Sequence, residues 1–282
     1  MKKIALYFML LALTAGLSAR TFQSEKLEKL WETTGLSVPE SVLPVPEKGI
    51  LYVSNIAEEN PSLKNGSGFI SIVSADGKIK NLKWATGLNS PKGMAIYKDK
   101  LYVTEVDKLT AIDLATGKKV KSWPVEGAGF LNDVAAHASG AIFFTDSKTG
   151  KVHKLEDDKV TTAIGDKGFP NVNGIVALDK KLLIGTGDKI VKYYVGTGEV
   201  EDYMLNTGGV DGLAVIGKGV VLFSDWPGKV HLMKKGEEKE LLLDTSSTER
   251  SKTADFGYIA GEHLVIIPTF FANKLVCYKL KL

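Results

Sequence analysis

"DGLAVIGKGVVLFSDWPGKVHLM", residues 211–233, sets three short Val-, Leu- and Phe-rich runs between Gly-Lys-Gly and Trp-Pro-Gly. Apolar and β-branched runs broken by such turns read as antiparallel strands. The same layout recurs in "NDVAAHASGAIFFTDSKTGKVHKL" from Asn132, "NGIVALDKKLLIGTGDKIVKYYV" from Asn173 and "DFGYIAGEHLVIIPTFFANKLVCYKL" from Asp255. It recurs again after Lys92, in "GMAIYKDKLYVTEVDKLTAIDLATGK". In these five units the second strand is expected nine positions after the leading residue, at Leu101, Ala141, Leu182, Val220 and Leu264. Matching "LEKLWETTGLSVPESV" (27–42) to "IKNLKWATGLNSPKGM" (79–94) carries the series back to Glu40. That first copy is one residue longer, reaching its second strand at Ile50, and holds the insertion "AEENPSLKNGSG".

The leading residues are spaced 52, 40, 41, 38 and 44 apart, with four strand runs per unit. A period near 40 with four strands is the mark of a propeller blade. The expected fold is therefore all-β: a six-bladed β-propeller of four-stranded blades. The last unit stops after its third strand, at Leu282, while an unassigned strand, "KLEKLWETTG" (26–35), precedes the first. The N-terminal strand is expected to complete the last blade and close the ring. Closure removes the open sheet edges that invite aggregation.

The chain is 282 residues long, with a formal net charge of +3 and dispersed lysines. That charge gives no case for nucleic acid as a partner. The N-terminus is distinct: "MKKIALYFMLLALTAGLSAR" has Lys2 and Lys3, an apolar run from Ile4 to Leu13, then small residues. This is the layout of a secretory signal, expected over 1–19 with cleavage near Ala19, and the run is short for a membrane span. An uncleaved anchor is the other reading. The propeller then fills 20–282 as a single domain, periplasmic or secreted, with no membrane attachment after signal removal. Cys277 is the only cysteine, so no internal disulfide and no thiolate metal cluster can form. It sits in the apolar run "KLVCYKL" and reads as a core residue.

The first strand of each propeller blade lines the central channel, so the six leading residues should ring one mouth of it. In ring order they are Glu40, Lys92, Asn132, Asn173, Asp211 and Asp255. Asn and Asp beside glycine favour turns, but that does not account for Glu40 or Lys92. Converging carboxylates repel unless a cation or raised pKa values relieve them. Glu40, Asn132, Asn173 and Asp211 offer oxygen ligands only, a donor set suited to one divalent cation, Ca2+ before Mg2+. Lys92 opposes a cation, although its ring neighbour Glu40 can pair with it.

These motifs carry a family resemblance. With "PESV" at Glu40, "LNDVA" at Asn132, "VNGIVA" at Asn173 and "VDGLAV" at Asp211, the chain resembles the gluconolactonase/regucalcin (senescence marker protein) family of six-bladed propellers. The resemblance covers nearly all of the mature chain. It implies one divalent metal on Glu40, Asn132, Asn173 and Asp211, and water attack on a lactone or ester with Asp211 as general base. Asp211 as a ligand without base function is the alternative. The chain departs from the lactonase pattern at Phe130, where those enzymes often place arginine, and at Ser41-Val42.

Lys92, Phe130, Trp226, Asp255 and Phe270 are the candidate substrate contacts around this centre, with Asp255 also the alternative to Asp211 as base. Glu105, Asp146, Asp225 and Thr269 recur at second-strand ends and read as caps, and His153 and His231 share a third-strand packing position. No Gly-x-Ser-x-Gly elbow and no phosphate loop is present, so serine nucleophile chemistry has no support. Two functions follow: an exported metal-dependent hydrolase of a small ester or lactone, or a non-catalytic propeller that binds a ligand or protein at the channel mouth.

Overall fold

A computed structural model describes residues 21–165, 168–248 and 250–282. The signal expected over 1–19 lies outside them. Among the described residues six antiparallel sheets follow one another around the ring, five of them four-stranded and one with a fifth, N-terminal strand. Blade one is Pro39–Val45, Ile50–Asn55, Gly68–Ser74 and Ile79–Leu88. Blade two is Met94–Tyr97, Lys100–Thr104, Lys108–Asp113 and Lys119–Pro124. Blade three is Leu131–Ala136, Ile142–Asp146, Lys151–Glu156 and Lys159–Ile164. Blade four is Ile175–Ala177, Lys181–Gly185, Lys189–Tyr194 and Val200–Leu205, and blade five is Leu213–Gly217, Val220–Asp225, Lys229–Lys234 and Glu240–Asp244. Every second strand begins within one residue of its expected start.

Blade six closes the ring as expected. Gly257–Ile259, Leu264–Pro268 and Lys274–Leu280 supply three strands, and Leu27–Thr34 supplies the outer one. The pairing runs antiparallel from Leu27 opposite Leu280 to Thr34 opposite Lys274. A further short strand, Phe22–Gln23, extends blade five by pairing with Asp244 and Leu243. It covers part of an outer edge that would otherwise stay unpaired.

The core lies between blades. Leu222, Val230 and Leu242 of blade five pack on Phe256, Val265 and Ile267 of the sixth unit, with Leu27 from the N-terminal strand. Leu183 and Ile190 of blade four pack on Val221 and Phe223 of blade five. Fully burying each such side chain contributes about 1.5–3 kcal/mol, so blade faces, not blade edges, hold the ring together. Outer strands such as Lys119–Pro124 are largely exposed.

At the channel the inner strands approach backbone to backbone, and three glycines make this possible. Each directly follows a leading residue: Gly93, Gly174 and Gly212. A Cβ on Gly174 would stand 2.3 Å from the Asp211 carbonyl oxygen, and one on Gly93 would stand 2.5 Å from Asp133 Cα. On Gly212 it would meet Phe256 at 2.8 Å. The "KG", "NG" and "DG" pairs are thus inter-blade contacts rather than tight turns: none of these glycines is among those with positive φ.

Candidate functional site

A cavity of about 640 Å³ opens at the channel mouth. Eight of the nine residues singled out from the sequence line it: Glu40, Lys92, Phe130, Asn132, Asn173, Asp211, Trp226 and Phe270. Ile56, Pro61, Ser147, Asn171, Val210, Asp225 and Pro227 complete most of the wall.

The leading residues are held by a device repeated in the first three blades. The residue ending the second strand, or next after it, accepts the backbone N–H three positions before the leading residue. Asn55 accepts from Ser37 at 3.0 Å, ahead of Glu40. Glu105 accepts from Asn89 at 2.6 Å, ahead of Lys92. Asp146 accepts from Gly129 at 2.8 Å and Phe130 at 2.9 Å, ahead of Asn132. Glu105 and Asp146 are therefore caps, and each fixes the loop that delivers a cavity residue. Asp225 caps its own turn instead, accepting from Gly228 and Lys229.

The oxygens of the floor are underused. Glu40 Oε2, Asn132 Oδ1 and Asn173 Oδ1 are buried without a hydrogen-bond partner. The Asn173 amide donates to Asp211 Oδ1 at 2.6 Å, and the Asn132 amide donates to Ser147 Oγ at 3.2 Å. Both amides thereby turn their carbonyl oxygens away from those acceptors. Buried acceptors left unpaired are costly, and a hard cation is the partner that an all-oxygen set satisfies. Among the described residues no three His, Cys, Asp or Glu side chains gather as a metal cluster. An ion here would rest on a mixed set of carboxylates and amides, and Glu40, Asn132, Asn173 and Asp211 fit that description.

The electrostatics agree. Burial pushes the Asp211 carboxyl up to about 8, with the charge of Asp255 adding to the shift and the Asn173 bond opposing it. Glu40 is raised well above the carboxylate range by burial and by Asp211, against the pull of Lys92. Burial lowers the Lys92 amine to about 8, while Glu40 and Glu105 draw it back up. The expected Glu40–Lys92 pairing acts only across space: the amine donates to the Ser90 carbonyl at 3.1 Å and lies 4.2 Å from the centre of the Phe130 ring.

Asp255 is placed differently from the other candidates. It does not line the cavity. Its backbone N–H donates to the Glu40 carbonyl at 3.0 Å, and its carboxylate accepts the Ser41 hydroxyl at 2.5 Å. A parallel bridge between Ser41 and Asp255 ties blade six to blade one at this point and sets Asp255 behind Glu40. Burial raises its carboxyl to about 7, with Ser41 opposing.

The repeat pattern does not single out Asp133, yet the fold buries it near the site. It is 4 % exposed, its Oδ1 has no partner, and burial raises its carboxyl well above the usual range, helped by Asp255, Glu40 and Asp211. Strict alternation would put only one of Asn132 and Asp133 on the inner side. A register shift between Leu131 and Val134 breaks that alternation, as another does between Pro39 and Val42 around Glu40 and Ser41. The available signal was an acid inside an inner strand with no turn beside it.

Trp226 and Phe270 meet edge to face, 4.6 Å between centres, and Phe271 joins them. Away from the cavity His153 packs tilted against Phe144 and His231 stacks on Phe223. Cys277 is buried, its thiol pushed up to about 12.

The chain matches no family model and no curated protein. Its fold is similar to that of a gluconolactonase from Xanthomonas campestris, at TM-score 0.66 and 16 % identity over 90 % of this chain and 89 % of the other. It is also similar to virginiamycin B lyase from Staphylococcus aureus, at TM-score 0.63 and 14 % identity over 93 % and 100 %. A streptogramin B lyase gives TM-score 0.62 and 13 % identity over 92 % and 97 %. At these identities the likeness is one of fold.

Proposed function

We propose that this propeller is an exported hydrolase of a small ester or lactone that depends on one divalent cation, Ca2+ before Mg2+. The observation that carries the reading is the set of unpartnered buried oxygens on Glu40, Asn132 and Asn173, facing one cavity together with Asp211. Those four residues would hold the ion. The gluconolactonase among the fold neighbours supports the reaction class.

When bound, the ion supplies Lewis-acid polarisation of the substrate carbonyl. The chain's own residues do the rest. Asn173 fixes the Asp211 carboxylate by donating to Oδ1, which leaves the other oxygen to take a proton from the attacking water. Glu40 is held from behind by its contact with Asp255. Trp226, Phe270, Ile56 and Pro61 give the cavity an apolar wall that excludes bulk water from one side of the substrate. Lys2, Lys3 and the Ile4–Leu13 run support export to the periplasm or medium, and N-terminal sequencing of the mature protein tests that point.

The central test is metal content by elemental analysis, paired with thermal unfolding. Saturating Ca2+ should raise Tm of the chelator-treated protein by about 5 °C or more. No co-purifying metal together with no Tm response would sink the reading. A lactone and ester panel then compares the native chain with Asp211→Asn; loss of at least about a hundredfold in kcat is expected of a general base. A non-catalytic binding propeller is the second reading, favoured by the cation Lys92 inside the ring. It predicts ligand binding with no turnover on that panel.

A further inference from the structure

Two walls of opposite chemistry face each other across the oxygen floor. Lys92 and Phe130 enter from blade two and the start of blade three, whereas Trp226 and Phe270 enter from blades five and six, across the ring. Lys92 is 1 % exposed. An ammonium has three N–H donors. Here one bonds the Ser90 carbonyl and the charge rests against the Phe130 ring, which leaves donor capacity turned to the cavity. A buried cation is costly unless a ligand or partner completes its contacts, and a carboxylate does so with charge-assisted bonds.

The far wall is built for apolar surface. Trp226 keeps 43 % of its surface exposed at the cavity rim, although its ring is braced edge to face by the fully buried Phe270. Phe270 itself holds φ at +50°, a left-handed backbone that bulky residues rarely adopt. Strain of that kind persists where the surrounding structure fixes a side chain for a task. A rigid indole of this sort is an anchor for a ring or alkyl group.

We propose that the ligand is an amphiphilic carboxylate, with its anionic group on Lys92, its apolar ring or chain on Trp226, and its ester or lactone carbonyl over the floor between them. Only the placement of the carbonyl rests on the hydrolase reading; the two walls stand without it.

Calorimetry with phenylbutyrate, phenylbutyramide and butyrate on the native full-length mature chain, with and without Ca2+, tests this. Phenylbutyrate should bind about tenfold tighter than either analogue. Lys92→Met should erase the preference for acid over amide, Lys92→Arg should keep it, and Trp226→Ala should erase the preference for phenylbutyrate over butyrate. Equal affinity for acid and amide in the native chain overturns the proposal, as does absence of binding or a preference that survives Lys92→Met. A preserved acid preference with no Ca2+ effect on Tm would remove the metal-dependent reading and leave the amphiphilic ligand standing.

Discussion

Asp211 shows how one side chain serves both structure and chemistry. Its backbone N–H donates to the Ser224 carbonyl, and its carboxylate accepts from Asn173. Asn173→Leu removes that donor and one of the unpartnered oxygens together. The expected result is loss of the Ca2+-induced rise in Tm, read by calorimetry at matched ionic strength. His231 gives a separate test at pH values where the fold persists. Burial holds its imidazole down at about 4, aided by Lys239 and Lys229, against about 6.5 in an unfolded chain. Between those values the unfolded chain binds the proton and the folded chain does not. Stability therefore rises with pH through this window and is complete above it. The contribution is about 3 kcal/mol. His231→Leu should flatten the slope of Tm between pH 6.5 and pH 4 by a corresponding amount; an unchanged slope would show that other groups set it.

At the scale of the element, the inner strands are the informative ones. Their glycines are required by the neighbouring blade, not by their own φ. Gly174→Ala would drive a Cβ against the Asp211 carbonyl and should destabilise the protein by about 1–3 kcal/mol, as overpacking does elsewhere. Denaturant melts measure this directly. The Ca2+ response should fall too, because the clash displaces Asp211. Gly196 has nothing within 4 Å of an added Cβ, so Gly196→Ala serves as the control that leaves the metal response unchanged.

The whole molecule depends on its N-terminal strand. Leu27–Thr34 covers the outer edge of Lys274–Leu280 and brings Leu27 into the blade five–six core. Deleting residues 21–35 from the mature chain should expose that edge and strip the core of Leu27. Light scattering should then report aggregation during expression or mild heating. A monomeric variant with native Tm would mean that the blade closes without this strand.

Much of this was legible from residues alone. The 40-residue period, the strand starts, the missing outer strand and the ring of polar leading residues all follow from local pattern, because a repeat writes the same strand and turn preferences several times. What the linear pattern could not convey depends on neighbours from other blades. Asp133 is buried at a register shift where it feels the charges of Asp255, Glu40 and Asp211, Asp255 stands behind Glu40 because it bridges to Ser41, and Lys92 meets Phe130 from the adjacent blade. Only tertiary structure leaves the oxygens of Glu40, Asn132 and Asn173 buried and unpartnered. Sequence determines which residues lead each blade; the packing of blades determines which of them reach the cavity, as Asp255 does not, and which of their atoms find partners there.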